Sequence, residues 1–142
     1  MSDPMPASTH PHAELIRRAF SLQNGHQADD LASLYADDSI FHDIPLGAFP
    51  RDHAEMKKLW TDTWAALEDF RMEPDFIVAD GNGGAASFTM SGKHTGDFPG
   101  YPATGRAFSL KGASIVRIAG GRITAWTDYW STGDMEAQLG TS

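Results

Sequence analysis

One aspartate near the carboxyl end of the chain lies between two tryptophans at strand spacing. Trp126, Asp128 and Trp130 alternate with other residues, and successive side chains of a strand point to opposite faces, so all three share one face. If that face is turned inward, loss of water raises the pKa of the Asp128 carboxyl and makes it a general acid or base near neutral pH. If it is turned outward or lies at a subunit interface, Asp128 is a hydrogen-bonded structural residue.

Two histidines are further candidates for acid–base chemistry. His42 shares a strand face with Ile40 and Ile44, which predicts that it points inward while its neighbour Asp43 points away. His94 ends a predicted strand where a loop rich in glycine and proline begins, and we expect it at the mouth of a pocket. The alternatives are a hydrogen-bonded core histidine in the first case and a loop-anchoring hydrogen bond in the second.

Aromatic side chains could form the walls of a binding pocket. Tyr35, Trp60 and Trp64 lie on predicted helix faces that look toward the sheet, and Trp126 and Trp130 complete the set of candidate substrate-binding residues. Flat rings can support a planar ligand, and the tyrosine hydroxyl can donate a hydrogen bond to a carbonyl. The alternative is that these rings are ordinary core, as most aromatics at helical spacing are.

Composition and motifs exclude several classes of function. The chain has 142 residues, a length of one domain, with no cysteine and a net charge of −8. Disulfides and thiolate metal sites are therefore excluded, and the acidic balance argues against nucleic acid or an anionic membrane as a partner. Motifs such as HExxH, GxSxG and the dinucleotide fingerprint are missing, so we expect no metal and no cofactor. A cytoplasmic protein is the default expectation.

The periodicity of apolar residues predicts helices first and long strands afterwards. Helical spacing predicts helices over residues 12–24, 27–36 and 52–67. Strand patterns occur over 39–44, 70–79, 85–94, 107–119 and 122–130, and a short helix over 133–139 closes the chain. Residues 1–11 are predicted to be a disordered arm, and 12–142 a single domain. This order predicts the α+β class, with three N-terminal helices on a curved antiparallel sheet and a pocket between the layers.

Several segments resemble those of the SnoaL-like polyketide cyclases. They are Phe41–Pro45, Glu68–Phe70, Gly92–Gly96, Pro102–Arg106, Gly120–Ile123 and Trp126–Asp128. The resemblance covers about residues 12–139 and implies the cone-shaped fold of the nuclear transport factor two-like superfamily. It also implies that Asp128 is the acid–base residue of an intramolecular aldol ring closure that uses neither metal nor cofactor. The segment around Asp128 is similar to limonene epoxide hydrolases too, although Thr127 stands where those enzymes have arginine.

The sequence therefore predicts a cofactor-free acid–base enzyme that acts on a small, apolar carbonyl compound, as a cyclase or an isomerase. Two alternatives stay open: an epoxide hydrolase, and a noncatalytic ligand-binding or interaction module of the same fold. The cyclases tend to carry a histidine on the penultimate strand, whereas residues 107–119 contain none. This difference is the reason for considering a noncatalytic module. A homodimer is expected, with Phe108, Leu110 and Ile118 covering the convex face of the sheet.

Overall fold

The computed structural model describes residues 10–97 and 101–140. Within these ranges the helices are α1 (Pro11–Asn24), α2 (Ala28–Ser33), α3 (His53–Ala66) and α4 (Thr132–Leu139). The strands are β1 (Tyr35–Asp43), β2 (Leu67–Asp80), β3 (Gly83–His94), β4 (Ala107–Ala119) and β5 (Arg122–Trp130). The α+β class and the three helices in the first half of the chain are confirmed. None of the helices in the described ranges is long and apolar enough to cross a bilayer.

The five strands form one curved sheet in the order β1-β5-β4-β3-β2. Strands β2 to β5 pair antiparallel, as predicted, but β1 pairs parallel to β5 at the edge of the sheet. The prediction of an antiparallel sheet is therefore wrong for β1. The reason is topological, because β1 reaches β5 through a long connection rather than a tight turn, and only antiparallel neighbours can be joined by a two-residue hairpin.

A glycine turn joins β4 to β5, the strand that carries the candidate aspartate. Gly120 and Gly121 join β4 to β5 with φ values of 61° and 77°, a conformation that glycine adopts without steric strain. A register shift between Arg117 and Ile118 of β4 then places Ser114 directly opposite Asp128 of β5. The turn and this irregularity together decide which side chain meets the aspartate.

The core lies between the inner face of the sheet and the helices. Ile16 and Phe20 of α1 and Met56 of α3 are almost completely buried. The Phe20 ring contacts Trp126 of β5 with 5.4 Å between centroids and Phe88 of β3 with 6.2 Å. Burial of each such side chain stabilises the fold by about 1.5–3 kcal/mol, and it holds the helices above the sheet.

The predicted dimer residues lie inside the domain. Phe108, Leu110 and Ile118 are all buried in the core, so their assignment to the convex face is wrong. Apolar and polar side chains do alternate along β4 as expected, but these three apolar ones lie on the inner face, under the helices. A different set of large apolar residues is exposed on the strands, including Ile115 and Tyr129.

Two further predictions concern residues near the ends of α1 and α2, namely the N-terminal arm and Tyr35. α2 ends at Ser33, so Tyr35 begins β1 instead of lying on a helix. Of the predicted N-terminal arm, residues 1–9 lie outside the described residues. The side chain of His10 caps α1 by accepting a hydrogen bond from the backbone of His12, and Pro11 is the first residue of that helix.

Candidate active site

An apolar cavity lies on the inner face of the sheet, between the strands and helices α3 and α4. Its space amounts to about 670 Å³ with the open mouth included, and a second hollow of about 310 Å³ adjoins it. Its lining is mainly apolar with a few polar side chains, which is typical of sites for small molecules. The polar side chains of the first cavity are Gln23, Asp43, Thr63, His94, Tyr101 and Asp128. Of the lining residues that the structure describes, none is a lysine or an arginine.

Asp128 lies at the boundary of the two hollows and lines both. Its side chain is 5% exposed. The hydroxyl of Ser114 donates to its Oδ1 at 2.5 Å, and the indole Nε1–H of Trp126 donates to the same oxygen at 2.8 Å. The other oxygen, Oδ2, receives no hydrogen bond from any described residue. One oxygen therefore fixes the carboxyl group, and the other is available to a ligand.

Burial raises the pKa of Asp128 from 3.8 to about 7. The hydrogen bonds from Ser114 and Trp126 work in the opposite direction, since they favour the ionised form, while the negative charge of Asp43 raises the pKa further. A carboxyl group with this pKa exists in both protonation states near neutral pH. Such a group can take up a proton from a substrate and return it in the same catalytic cycle.

Asp43 lines the cavity, so the prediction that it points away from the cavity is wrong. It pairs in register with Asp128, and the indole of Trp130 donates to its two oxygens at 3.1 and 3.3 Å. Burial raises the pKa of Asp43, and hydrogen bonds from the backbone of Leu46 and from Trp130 partly offset that rise. Its strand neighbour two residues earlier, the buried Phe41, was the signal in the sequence that could have shown which face is inward.

His42 does not line the cavity, and the prediction that it points inward is wrong. Its register partner is Thr127, on the outer face of β5, and its ring packs against Phe49 with 4.8 Å between centroids. Ile40 is 45% exposed on the same outer face. Ile40, His42 and Ile44 do share one face of β1, but that face is the outer one, which the helices leave uncovered.

His94 lies in the wall of the cavity and also holds the loop that follows β3. Its ring is completely buried, and Nδ1 lies 3.2 Å from the hydroxyl oxygen of Thr104. That oxygen accepts the backbone N–H of Arg106 at 3.3 Å, so the Thr104 hydroxyl proton is available to Nδ1. When Nδ1 accepts that proton, Nε2 carries the ring proton. Nε2 has no hydrogen-bond partner among the described residues. Both sequence interpretations of His94 are thus compatible with its position.

The candidate aromatic residues separate into two groups. Trp60 and Trp130 line the main cavity, and Tyr35, Trp60 and Trp126 line the adjoining hollow. Burial, and secondarily the charge of Asp128, raise the pKa of Tyr35 well above 10, so its hydroxyl keeps its proton as a donor. Trp64 lines neither hollow, because it stacks on His26 with 4.7 Å between ring centroids. The prediction that Trp64 is a pocket residue is wrong.

No cluster of three or more potential metal ligands occurs in the described part of the chain. The side chains that line the two hollows include a buried carboxyl group, a second carboxyl group beside it, an imidazole and a phenol hydroxyl.

Known proteins with this fold and sequence pattern identify the family. Residues 16–126 match the SnoaL-like domain. The chain belongs to the SnoaL-like family. Its relatives include the aklanonic acid methyl ester cyclase DauD of Streptomyces sp. (strain C5), 29% identical over 132 residues that cover 86% of this chain and 79% of the relative.

Solved structures resemble this chain in fold. IdmH of Streptomyces antibioticus, described as a candidate polyketide cyclase, superimposes with a TM-score of 0.79 at 27% identity, over 92% of this chain and 99% of its own. A hypothetical protein of Catenulispora acidiphila with a ketosteroid isomerase-like fold superimposes with a TM-score of 0.80 at 21% identity, over 91% of this chain and 94% of its own. The second likeness shows the fold alone, and it confirms the predicted cone.

Proposed function

We propose that this SnoaL-like protein catalyses an intramolecular aldol ring closure of a neutral, largely apolar polyketone, with Asp128 as the acid–base residue. The observation that carries the proposal is a buried carboxyl group with a pKa of about 7 in the wall of an apolar cavity. The relative DauD is named as an aklanonic acid methyl ester cyclase, and ring closure of a methyl ester is the activity that this name gives. Because no cationic side chain is present among the described lining residues, the cavity suits a ligand without a free carboxylate.

The proposed reaction moves one proton and forms one carbon–carbon bond. The Asp128 carboxylate takes a proton from a carbon beside a carbonyl, and the resulting enolate attacks a second carbonyl carbon of the same molecule. The electron pair of that carbonyl moves to its oxygen, which takes up the proton that Asp128 holds. His94 Nε2–H and the Tyr35 hydroxyl are the donors available to stabilise the oxygen anions. The apolar walls exclude water, which strengthens these interactions.

The substitution Asp128→Asn tests this function because it keeps the shape of the residue and removes its proton chemistry. Aklanonic acid methyl ester is the probe, and liquid chromatography with mass spectrometry detects the product as an isomer of unchanged mass. We expect kcat to fall by about 10²–10⁴-fold, the usual contribution of a general acid–base residue. Asp38→Asn, an exposed residue on β1, is the matched control and retains activity. A kcat within a few-fold of the wild type in Asp128→Asn excludes Asp128 as the base.

Proton removal can also be measured without ring closure. Incubation of the ester in deuterated water with the enzyme introduces deuterium at the carbon that loses its proton, and NMR detects the exchange. We expect exchange with the wild-type protein and none with Asp128→Asn. If deuterium exchanges but no ring forms, the base works and the second carbonyl does not react. If no deuterium exchanges, the proton is not removed.

The two alternatives from the sequence fit the site less well. A binding module would be favoured by an open or collapsed pocket with Asp128 in a salt bridge. The cavity has an open mouth, but Asp128 forms no ion pair with any described residue. An epoxide hydrolase of the limonene type would need an arginine beside its water, and the described lining contains none.

We also propose that the protein is a homodimer through the outer face of the sheet. The exposed apolar residues there are Phe76, Val78, Ile115 and Tyr129, on β2, β4 and β5. The register joins Val78 to Ile115 through Ala85, and Phe76 to Tyr129 through Ser87 and Ala113. The patch is therefore continuous across four strands, as a covered face would be.

Light scattering after size-exclusion chromatography tests the dimer. The wild type should have the mass of two chains at micromolar concentration, and Ile115→Glu should have the mass of one, because a charge in the centre of the patch disfavours contact. A monomeric wild type would remove the proposal. The cytoplasmic location expected from the sequence stays a prediction, which cell fractionation can check.

A further inference from the structure

We propose that Asp43 is a second functional carboxyl group of the site, which acts through the negative charge that it places beside Asp128. In this role Asp43 is a positioning residue. The inference rests on the proposed function of Asp128, and it adds a residue that exchanges no proton with the substrate.

The parallel pairing of β1 with β5 brings the two carboxyl groups together. Asp43 and Asp128 are register partners on adjacent strands, whose backbones lie about 4.8 Å apart in a sheet. The backbone N–H of Ile44 donates to the carbonyl oxygen of Asp128 at 3.2 Å and so fixes this register. Both side chains line the same cavity, hence both project from the same face of the sheet.

Hydrogen bonds hold the carboxylate of Asp43 in place and favour its ionised form. The backbone N–H of Leu46 donates to Oδ1 at 3.2 Å, in addition to the bonds from Trp130. The backbone of Asp43 is itself paired with Ala48, by bonds of 3.0 and 3.2 Å. Asp43 is half-buried, whereas Asp128 is fully enclosed, so Asp43 loses its proton first and Asp128 titrates beside a negative charge.

No neighbouring cation cancels that charge within the described cavity wall. The other polar side chains of the two hollows, and the hydroxyl bonded to Asp128, are Gln23 of α1, Tyr35 of β1, Thr63 of α3, His94 of β3, Tyr101 of the following loop and Ser114 of β4. From α4, Glu136 accepts from the hydroxyl of Tyr101 at 3.4 Å and is not a lining residue. His42 acts on Asp43 from the outer face of β1 and lowers its pKa, which helps to keep it ionised.

The consequence for the reaction is a stronger base. A carboxylate next to a second carboxylate takes up a proton more readily than one that stands alone, because protonation relieves the repulsion. The proton passes from the substrate carbon to Asp128 and from Asp128 to the product oxygen, and Asp43 stays ionised throughout. Without Asp43, Asp128 should ionise at a lower pH and should be a weaker base.

The substitution Asp43→Asn removes the charge and keeps an oxygen that can accept from Leu46 and Trp130. Asp38→Asn is the matched control, because it removes the same charge from an exposed position on the same strand. The readout is the ratio of kcat/KM at pH 6 to that at pH 8, which is about one tenth for a base with a pKa of about 7. We expect this ratio to rise about threefold or more in Asp43→Asn and to stay unchanged in the control. A merely structural role would lower activity at both pH values together.

An NMR titration of ¹³C-labelled aspartate side chains makes the inference testable without substrate. The midpoint for Asp128, assigned by its loss in Asp128→Asn, should move to lower pH in Asp43→Asn and should return toward the wild-type value in Asp43→Glu. If the wild type fails to cyclise any probe, the proposed function fails, and the titration still decides the role of Asp43. An unchanged midpoint in Asp43→Asn overturns the inference, and Asp43→Ser takes the place of Asp43→Asn if that variant does not fold.

Discussion

The buried carboxyl group of Asp128 should make the protein less stable as the pH rises, and Asp128→Asn should remove this effect. In the unfolded chain the group has an ordinary pKa of 3.8, whereas in the folded protein burial raises its pKa to about 7. Between these values the unfolded chain has released the proton and the folded protein still holds it. Unfolding therefore releases a proton, and a rise in pH favours the unfolded state.

The size of the effect follows from the two pKa values. Each pH unit in this window lowers the free energy of unfolding by about 1.36 kcal/mol, so the full difference from 3.8 to about 7 corresponds to about 4 kcal/mol. Between pH 5 and pH 8 the change is roughly 2.5 kcal/mol, because part of the window lies below pH 5 and the titration is complete only above pH 7. Asparagine does not titrate, so the variant should gain this amount relative to the wild type.

Urea unfolding at pH 5, 6, 7 and 8, followed by circular dichroism, measures the difference directly. Groups that titrate in both proteins cancel in the comparison. The exposed control Asp38→Asn should differ from the wild type by less than about 0.5 kcal/mol at every pH. A difference between Asp128→Asn and the wild type that stays constant from pH 5 to pH 8 would show that Asp128 titrates normally, and the catalytic proposal would lose its physical basis.

Three further predictions concern the wall of the cavity. Ser114→Ala removes a hydrogen bond that favours ionised Asp128, so the pKa of Asp128 should rise. In a profile of kcat/KM measured from pH 5.5 to 9, the acid limb should therefore move to higher pH. A move to lower pH contradicts the reasoning. His94→Phe should lower kcat by about 10²-fold, because the Nε2–H donor is lost. Thr104→Val removes only the contact between His94 and the loop, and it should lower kcat less. Equal losses of kcat in the two variants would show that His94 acts only by holding the loop. Trp60→Leu should raise KM for the apolar ester, because the Trp60 ring lines the cavity. The matched control Trp64→Leu should leave KM within about twofold of the wild type, because the Trp64 ring lies outside the cavity. Equal KM values in the two variants would contradict this assignment of the two rings.

Local signals in the sequence predicted the elements that carry Asp128 closely. The strands over 107–119 and 122–130 have the bounds expected, because two consecutive glycines admit the backbone conformation of the turn between them. The N-terminus of α3 was also predictable, since the side chain of Asp52 accepts the backbone N–H of Glu55 at 2.8 Å. Turns and caps depend on residues that are close in sequence, so the sequence alone determines them.

The placement of side chains relative to the helices was decided by the tertiary structure. β1 presents His42 between isoleucines on one face and Asp43 beside Phe41 on the other, and both patterns are compatible with burial. Only the packing of helices α1 and α3 on one side of the sheet determines that Asp43 enters the cavity, and only the parallel pairing with β5 brings it beside Asp128. The residue types and the strand that carries the acid were thus readable from the sequence. Which neighbours surround that acid depends on contacts between distant segments, and no local pattern contains them.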